Sequence, residues 1–236
     1  MKAMILAAGR GVRLKPFTDN MPKALAEVGG ISMLETVIRR LIGAGADSLV
    51  INVHHLHHKI LAFLAEKEYF GLHIDISPEI YFPLESGGGL KKAACFLDDG
   101  KPFFMHNADV FTDLDLAALY AAHLKNGAMA TLAVKKRPSE RQLLFDGGLN
   151  LKGRFQAGES PAGLIPLAFS GVQVISPAIF EKMTESGVFS ITDVYLRLAQ
   201  EGEKIMGFRD DVCYWQDIGS IEKLESLRRH VAESKR

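Results

Sequence analysis

The chain opens on an unbroken apolar run, Ala3-Met-Ile-Leu-Ala-Ala8, that stops at glycines 9 and 11. A run of this length without polar alternation suits a strand covered on both faces, as in a parallel sheet. Between Ser32 and Gly43 the apolar positions Met33, Leu34, Val37, Ile38 and Leu41 recur at helical spacing, with Ser32 placed as N-cap and Glu35 three residues on. Leu49–Val53 then reads as a strand, Lys59–Glu68 as a helix and Ile74–Ile76 as a short strand. Gly87–Gly89 opens a helix reaching about Leu97, and Pro102–His106 is a strand leading to Asp109. This β-α-β-α rhythm predicts an α/β fold, whose sheets bind ligands beyond the carboxyl ends of their strands.

The pattern changes in the middle of the chain. Met129–Lys135 reads as a strand, 143–151 as a hairpin around Asp146-Gly147-Gly148 that would wall one side of a site, and 153–166 as a Gly- and Pro-rich loop. A strand at Leu167–Ile175, helices at Pro177–Glu185 and Asp193–Glu201, and a strand at Lys204–Phe208 follow. The segment Trp215-Gln-Asp-Ile-Gly-Ser220 reads as a turn before a last helix to Val231. With no repeat and no linker composition, residues 1–236 are expected to form one domain.

Charge narrows the function classes. Lys plus Arg and Asp plus Glu balance at 28 each, so no global field would hold nucleic acid or an anionic membrane, and phosphate chemistry must rest on a few placed cations. The two cysteines, Cys95 and Cys213, offer neither a disulfide framework nor metal-ligand spacing, and Cys95 reads as core. The apolar start is too short for a signal peptide or a membrane span, so a cytoplasmic protein is expected.

Gly9-Arg-Gly11-Val-Arg13-Leu14 is not a dinucleotide fingerprint, because Leu14 stands where a third glycine belongs. A long polar loop, Lys15-Pro-Phe-Thr-Asp-Asn-Met-Pro22-Lys23, follows instead. Such a loop can wrap a triphosphate: Gly9 and Gly11 let backbone N–H groups come close, Arg13 grips two oxygens with its planar fork, and Lys23 acts as a point charge. A surface loop with solvated cations is the competing reading, and the offsets of Arg13 and Lys23 weigh against it. Asp109, after a strand end, is by itself an ordinary turn former. Paired with Asp217 from a second strand-to-helix junction, it suits Mg²⁺, which takes one or two carboxylates plus substrate phosphates and water. The run Glu85-Ser-Gly-Gly-Gly89 is either a tight turn or a backbone surface for a base.

Leu6-Ala-Ala-Gly-Arg-Gly-Val-Arg-Leu-Lys-Pro-Phe-Thr-Asp-Asn-Met-Pro-Lys23 resembles the signature of the sugar-phosphate nucleotidyltransferases, or nucleotide-sugar pyrophosphorylases. The resemblance implies a three-layer, Rossmann-like nucleotide-diphospho-sugar transferase fold with a mixed, mainly parallel central sheet. Its nucleotide-binding half would be 1–128 and its sugar-binding half 129–236. It implies that Leu6, Ala8, Gly9, Gly11, Ser86, Gly87 and Gly88 meet the nucleotide, with Arg13 and Lys23 catalytic and Asp109 and Asp217 on Mg²⁺. Asn107, Gly147, Glu159, Gly171 and Asp193 would meet the sugar phosphate. The implied reaction joins a nucleoside triphosphate (UTP or GTP) and a sugar 1-phosphate into a nucleotide sugar and pyrophosphate, in a monomer or small homo-oligomer.

Departures from the family pattern are Val12, where Thr or Ser is usual, and Ala108 in place of glycine. A Glu-Lys-Pro sequence is missing, as is a left-handed β-helix extension, so the chain resembles the short bacterial forms acting on N-acetylmuramate 1-phosphate or mannose 1-phosphate. A cytidylyltransferase acting on phosphocholine or a similar phosphoalcohol is the alternative, discriminated by an aromatic cage. A nucleotide-sugar-binding regulator or a related glycosyltransferase is a third reading. His54-His-Leu-His-His58 is read as a polar strand-to-helix junction rather than a metal site, and Lys91, Lys92 and Arg228-Arg229-His230 as solvated helix surface.

Overall fold

A computed structural model describes residues 1–155, 161 and 163–234; Glu159 lies outside the described residues. The first part of the chain runs β1 (Lys2–Leu6), α1 (Phe17–Asn20), β2 (Glu27–Val28), β3 (Ile31–Ser32), α2 (Met33–Gly43), β4 (Ser48–Val53), α3 (His57–Glu66) and β5 (His73–Pro78). It continues with α4 (Glu85–Lys92), α5 (Ala94–Leu97), β6 (Phe103–Asn107), β7 (Val110–Thr112), α6 (Leu116–Asn126) and β8 (Ala130–Lys135). Then come β9 (Gln142–Phe145), β10 (Leu151–Arg154), β11 (Ile165–Ile175), α7 (Ile179–Lys182), α8 (Ile191–Gln200), β12 (Ile205–Arg209), β13 (Trp215–Asp217) and α9 (Ile221–Ser234).

The central sheet is mixed. β1 lies parallel between β4 and β6, with β5 parallel outside β4. β11 then runs antiparallel against β6, β8 and β9, while β12 lies parallel to β8. The strict alternation of β1 explains its unbroken apolar run. Ala3 and Ile5 pack with Leu34, Ile38 and Leu41 of α2 on one face, and Met4 packs with Leu90, Leu97 and Tyr195 on the other. Both faces are therefore roofed by helices, which makes three layers. A separate cluster, Leu14, Ala26, Val28, Met33, Ile218, Leu224 and Leu227, joins the polar loop to α9.

Local signals fix several ends. The Ser32 hydroxyl accepts the Glu35 N–H at 3.1 Å, while the Glu35 carboxylate turns to Arg39 and Lys67 instead of completing a capping box. Asp115 caps α6 through the Ala118 N–H at 2.9 Å, and Gly127, at φ 61°, ends it.

Four expectations change. Trp215–Asp217 is not a turn but a strand, because β7 supplies a partner in antiparallel register. The helix expected to open at Gly87 and reach Leu97 begins at Glu85 and is broken into Glu85–Lys92 and Ala94–Leu97. The long helix over 177–185 shrinks to Ile179–Lys182. Cys95, read as core, is exposed.

Candidate active site

The carboxyl ends of β1, β4, β5 and β6 surround a cavity of about 320 Å³. Its floor is a chain of hydrogen bonds. Asn52 Oδ1 accepts the Ala7 N–H at 2.7 Å, Asn52 Nδ2 donates to Glu79 Oε1 at 2.7 Å, and Glu79 Oε2 accepts the Leu84 N–H at 2.7 Å. Asn52 and Glu79 are both 2% exposed, so their pairing satisfies groups that would otherwise be costly to bury. Leu6, Ala8, Gly9, Gly11, Lys23, Ser86, Asn107 and Asp109 line the same cavity. Gly11 has φ 63°, and a Cβ there would sit 2.8 Å from Thr18 Cγ2, so the loop's own packing demands glycine.

Gly87 and Gly88 do not line the cavity. Their N–H groups donate to Phe189 O at 2.9 and 3.2 Å, and Cβ atoms would meet the Phe189 ring at 2.5 Å and Gly187 O at 2.4 Å. A Cβ on Gly89 would lie 2.8 Å from both Asn52 Nδ2 and Glu79 Oε1. The glycine run thus lets α4 press onto the 187–189 segment and the cavity floor, which overrides its poor helix propensity. Ser86 lines the cavity while its hydroxyl accepts the Ile191 N–H at 3.0 Å. Lys91, read as solvated, donates to Met183 O at 2.7 Å and Glu185 O at 2.6 Å.

The four charged groups singled out in the sequence converge. Lys23 Nζ pairs with Asp109 Oδ2. The β7–β13 ribbon sets Asp217 opposite Val110, and the Ile218 N–H donates to Asp109 O at 3.0 Å. A Cβ built on Gly219 would be 2.5 Å from Asp217 Oδ1 and 3.2 Å from Arg13 Nη2, which brings the guanidinium to the second acid. Burial pushes the Asp217 pKa up, but hydrogen bonds from Lys223 and the Gly219 N–H, with the charges of Lys223 and Lys23, outweigh it and hold the carboxyl below its ordinary value. Asp217 is therefore ionised at neutral pH. Asp109, which lines the cavity, and Asp217, joined to it through the β7–β13 ribbon, are a hard-oxygen donor set of the kind Mg²⁺ accepts together with phosphate oxygens. Among the described residues no trio of His, Cys, Asp or Glu could hold a metal, and His54 Nδ1 instead meets Glu79 O at 2.6 Å.

Beyond Asn107 the strand β11 bulges at Gly171, where φ is 76° and a Cβ would lie 2.8 Å from Asn107 Nδ2. Trp215 Nε1 donates to Ser170 O at 2.8 Å, and Arg137 stacks on the indole at 3.6 Å while donating to Phe169 O at 2.8 Å. Gly147 and Asp193 stand apart from the cavity. Gly147 is exposed at a hairpin whose Leu149 O accepts the Gly207 N–H at 2.7 Å, and Asp193 pairs with Arg154 at 2.7 Å. Sequence reasoning missed Asn52, Glu79, Arg137 and Lys223. A polar residue inside the apolar strand Leu49–Val53 was the available signal for Asn52.

The nucleotidyl transferase family model matches residues 2–145. Two relatives match from end to end. N-acetylmuramate alpha-1-phosphate uridylyltransferase of Neisseria meningitidis serogroup B is 34% identical, covering 97% of each chain, and its namesake from Caulobacter vibrioides is 32% identical, covering 98% of this chain and 97% of that one. Mannose-1-phosphate guanyltransferase of Gibberella zeae is 38% identical over 93% of this chain and 61% of its own length. Among solved structures, a UDP-glucose pyrophosphorylase complexed with UDP-glucose superposes with TM-score 0.83 at 16% identity, covering 99% of this chain and 98% of that one. HddC from Yersinia pseudotuberculosis complexed with GMP-PN gives 0.78 at 20% identity, covering 98% and 99%. At such identities the likeness is one of fold, the Rossmann-like nucleotide-diphospho-sugar transferase fold. No described helix is long and apolar enough to cross a membrane.

Proposed function

The chain belongs to the nucleotidyl transferase family and is a sugar-1-phosphate nucleotidyltransferase, and from that premise we propose that it joins UTP and N-acetylmuramate 1-phosphate with the help of Mg²⁺. The products are the UDP-sugar and pyrophosphate. The substrate choice is supported by the two uridylyltransferases that match over 97% of their own length. GTP with mannose 1-phosphate is the second reading, favoured by the 38% identity to a guanyltransferase. Phosphocholine is not favoured, since these relatives act on sugar 1-phosphates. Residues 1–128 would hold the nucleotide and 129–236 the sugar, in a single cytoplasmic domain.

The observation that carries the mechanism is the convergence of Arg13, Lys23, Asp109 and Asp217. A sugar 1-phosphate has a second pKa near ~6 and is largely dianionic at neutral pH, so it needs no general base. Its oxygen attacks the α-phosphorus of the triphosphate in line with the departing pyrophosphate. The P–O bond to pyrophosphate breaks as the new one forms, and no proton moves. The obstacle is repulsion between anions, so alignment and charge neutralisation carry the rate. Arg13 stabilises charge on the leaving pyrophosphate through two N–H donors. Lys23 turns from Asp109 to the α-phosphate and the incoming oxygen. Asp109 and Asp217 would hold Mg²⁺, which would supply positive charge against the phosphate oxygens. Leu6, Ala8, Gly9 and Gly11, which line the cavity, would meet the nucleotide, and Asn107 with the neighbouring Gly171 would meet the sugar phosphate.

A panel of four nucleoside triphosphates crossed with N-acetylmuramate, mannose and glucose 1-phosphates, read as pyrophosphate release with Mg²⁺ present, tests the reading. UTP with N-acetylmuramate 1-phosphate should turn over fastest. A preference for GTP with mannose 1-phosphate selects the second reading, and no release with any pair overturns both.

A further inference from the structure

Both acids of the site carry a lysine. Lys23 Nζ pairs with Asp109 Oδ2, and Lys223 Nζ, from the first turn of α9, lies 2.6 Å from Asp217 Oδ2. The other Asp217 oxygen accepts the Gly219 N–H at 2.7 Å. Asp217 therefore has both oxygens engaged, one of them by an ammonium.

The two lysines differ in freedom. The Lys23 side chain is 14% exposed and lines the cavity, whereas that of Lys223 is 46% exposed and rises from a helix surface. Lys223, half-exposed on the helix, can swing into water, which breaks its pair with the mostly buried Asp217 carboxylate and leaves that oxygen open to another cation. Nothing in the sequence pattern of α9 marks it, since Lys223 sits among the charged positions Glu222 and Glu225.

We propose that Lys223 is the positioning residue that couples metal to nucleotide at this site: it neutralises Asp217 until a triphosphate arrives, and then releases the carboxylate to Mg²⁺. The inference rests on Asp217 being a metal ligand, as proposed above. With no nucleotide, a divalent cation entering between Asp109 and Asp217 meets two ammonium groups and must displace the Lys223 pair. A bound triphosphate offers the ammonium groups phosphate oxygens, which removes the repulsion and frees the carboxylates together. The metal then binds more tightly with nucleotide than alone, and by reciprocity the nucleotide binds more tightly with metal. The enzyme so arranged binds the metal–nucleotide pair and leaves free metal in solution.

The experiment is a titration of Mn²⁺, followed by loss of the free-ion paramagnetic signal, on the full chain with and without α,β-imido-UTP. Wild type, Lys223→Met, Lys223→Arg and Asp217→Asn are compared after circular dichroism shows each to be folded. Without nucleotide, Lys223→Met should bind Mn²⁺ about tenfold more tightly than wild type, Lys223→Arg should stay within about twofold, and with the analogue the gap should close. Asp217→Asn should weaken binding under both conditions. Equal affinity of wild type and Lys223→Met without nucleotide, while both bind with it, overturns the role of Lys223 and leaves the metal site standing. Unchanged binding in Asp217→Asn, or no binding in wild type even with the analogue, overturns the metal site itself and the proposal with it.

Discussion

The Ile218 N–H donates to the carbonyl oxygen of Asp109 at 3.0 Å, and this one bond joins the two strand ends that carry the site's acids. Asp217 ends β13 directly before Ile218 and pairs in register with Val110, so the ribbon sets the second acid beside the chain segment that carries the first. Asn in place of Asp217 keeps the shape and the acceptor for the Gly219 N–H but removes the charge. Asp217→Asn should lower kcat/KM about 10²- to 10³-fold in a pyrophosphate-release assay while the thermal midpoint moves by only a few degrees. Near-normal turnover in a folded variant would remove Asp217 from the catalyst.

Arg13→Ala should cost a similar factor, about 10²- to 10³-fold in kcat, with a smaller change in nucleotide KM, because its guanidinium is assigned to charge that develops as pyrophosphate leaves. Steady-state kinetics separate the two parameters. A rise in KM at constant kcat would make Arg13 a ground-state contact only.

Gly88 and Gly147 make a paired test of packing. A Cβ on Gly88 would lie 2.4 Å from a backbone oxygen, whereas one on exposed Gly147 would meet nothing within 4 Å. Gly88→Ala should destabilise by about 1–3 kcal/mol in urea unfolding, and Gly147→Ala should stay within about 0.5 kcal/mol of wild type.

Gly171→Ala tests the acceptor side. The added methyl meets Asn107 Nδ2 at 2.8 Å and the backbone is held at φ 76°, so Asn107 must shift. The KM for the sugar 1-phosphate should rise about tenfold or more while that for the nucleotide changes little. Equal changes in both would detach Gly171 from the acceptor.

His123 predicts an acid limb. It is buried between the hydroxyls of Thr131 (3.0 Å) and Ser176 (3.1 Å), and burial lowers its pKa from 6.5 to about 4. The unfolded chain therefore takes up the proton first on acidification. The stability is fully present above about pH 6.5 and is lost as pH falls toward 4, by up to about 1.4 kcal/mol per unit. Urea midpoints measured across that window should fall with pH, and the slope should ease by about one proton in His123→Gln.

Much of this was legible before any coordinates. The apolar run of β1, the helical spacing of α2 and the Gly9–Lys23 loop are local signals, and local signals survive folding unchanged. What escaped depends on partners remote in sequence. Trp215–Asp217 has too few residues to show alternation, and its strand character comes from β7. A helix opening at Gly87 was legible, but not why three glycines, each costing a helix about 1 kcal/mol, are kept in it: the close approach to Phe189, Gly187 and Asn52. α6 is apolar on most sides, Leu-Ala-Ala-Leu-Tyr-Ala-Ala, so no clean period announced it. Glu79 and Lys223 look like ordinary surface charges until the fold buries one and aims the other.

The pairing of β7 with β13 also bears on how the protein is made. A ribosome delivers the glycine loop, Lys23 and Asp109 early, and β7 then waits through α6, the hairpin and α8 for its mate. Until that closing strand is in place, Asp109 has no second carboxylate beside it, so any chain that stops short of Asp217 lacks the pair of acids.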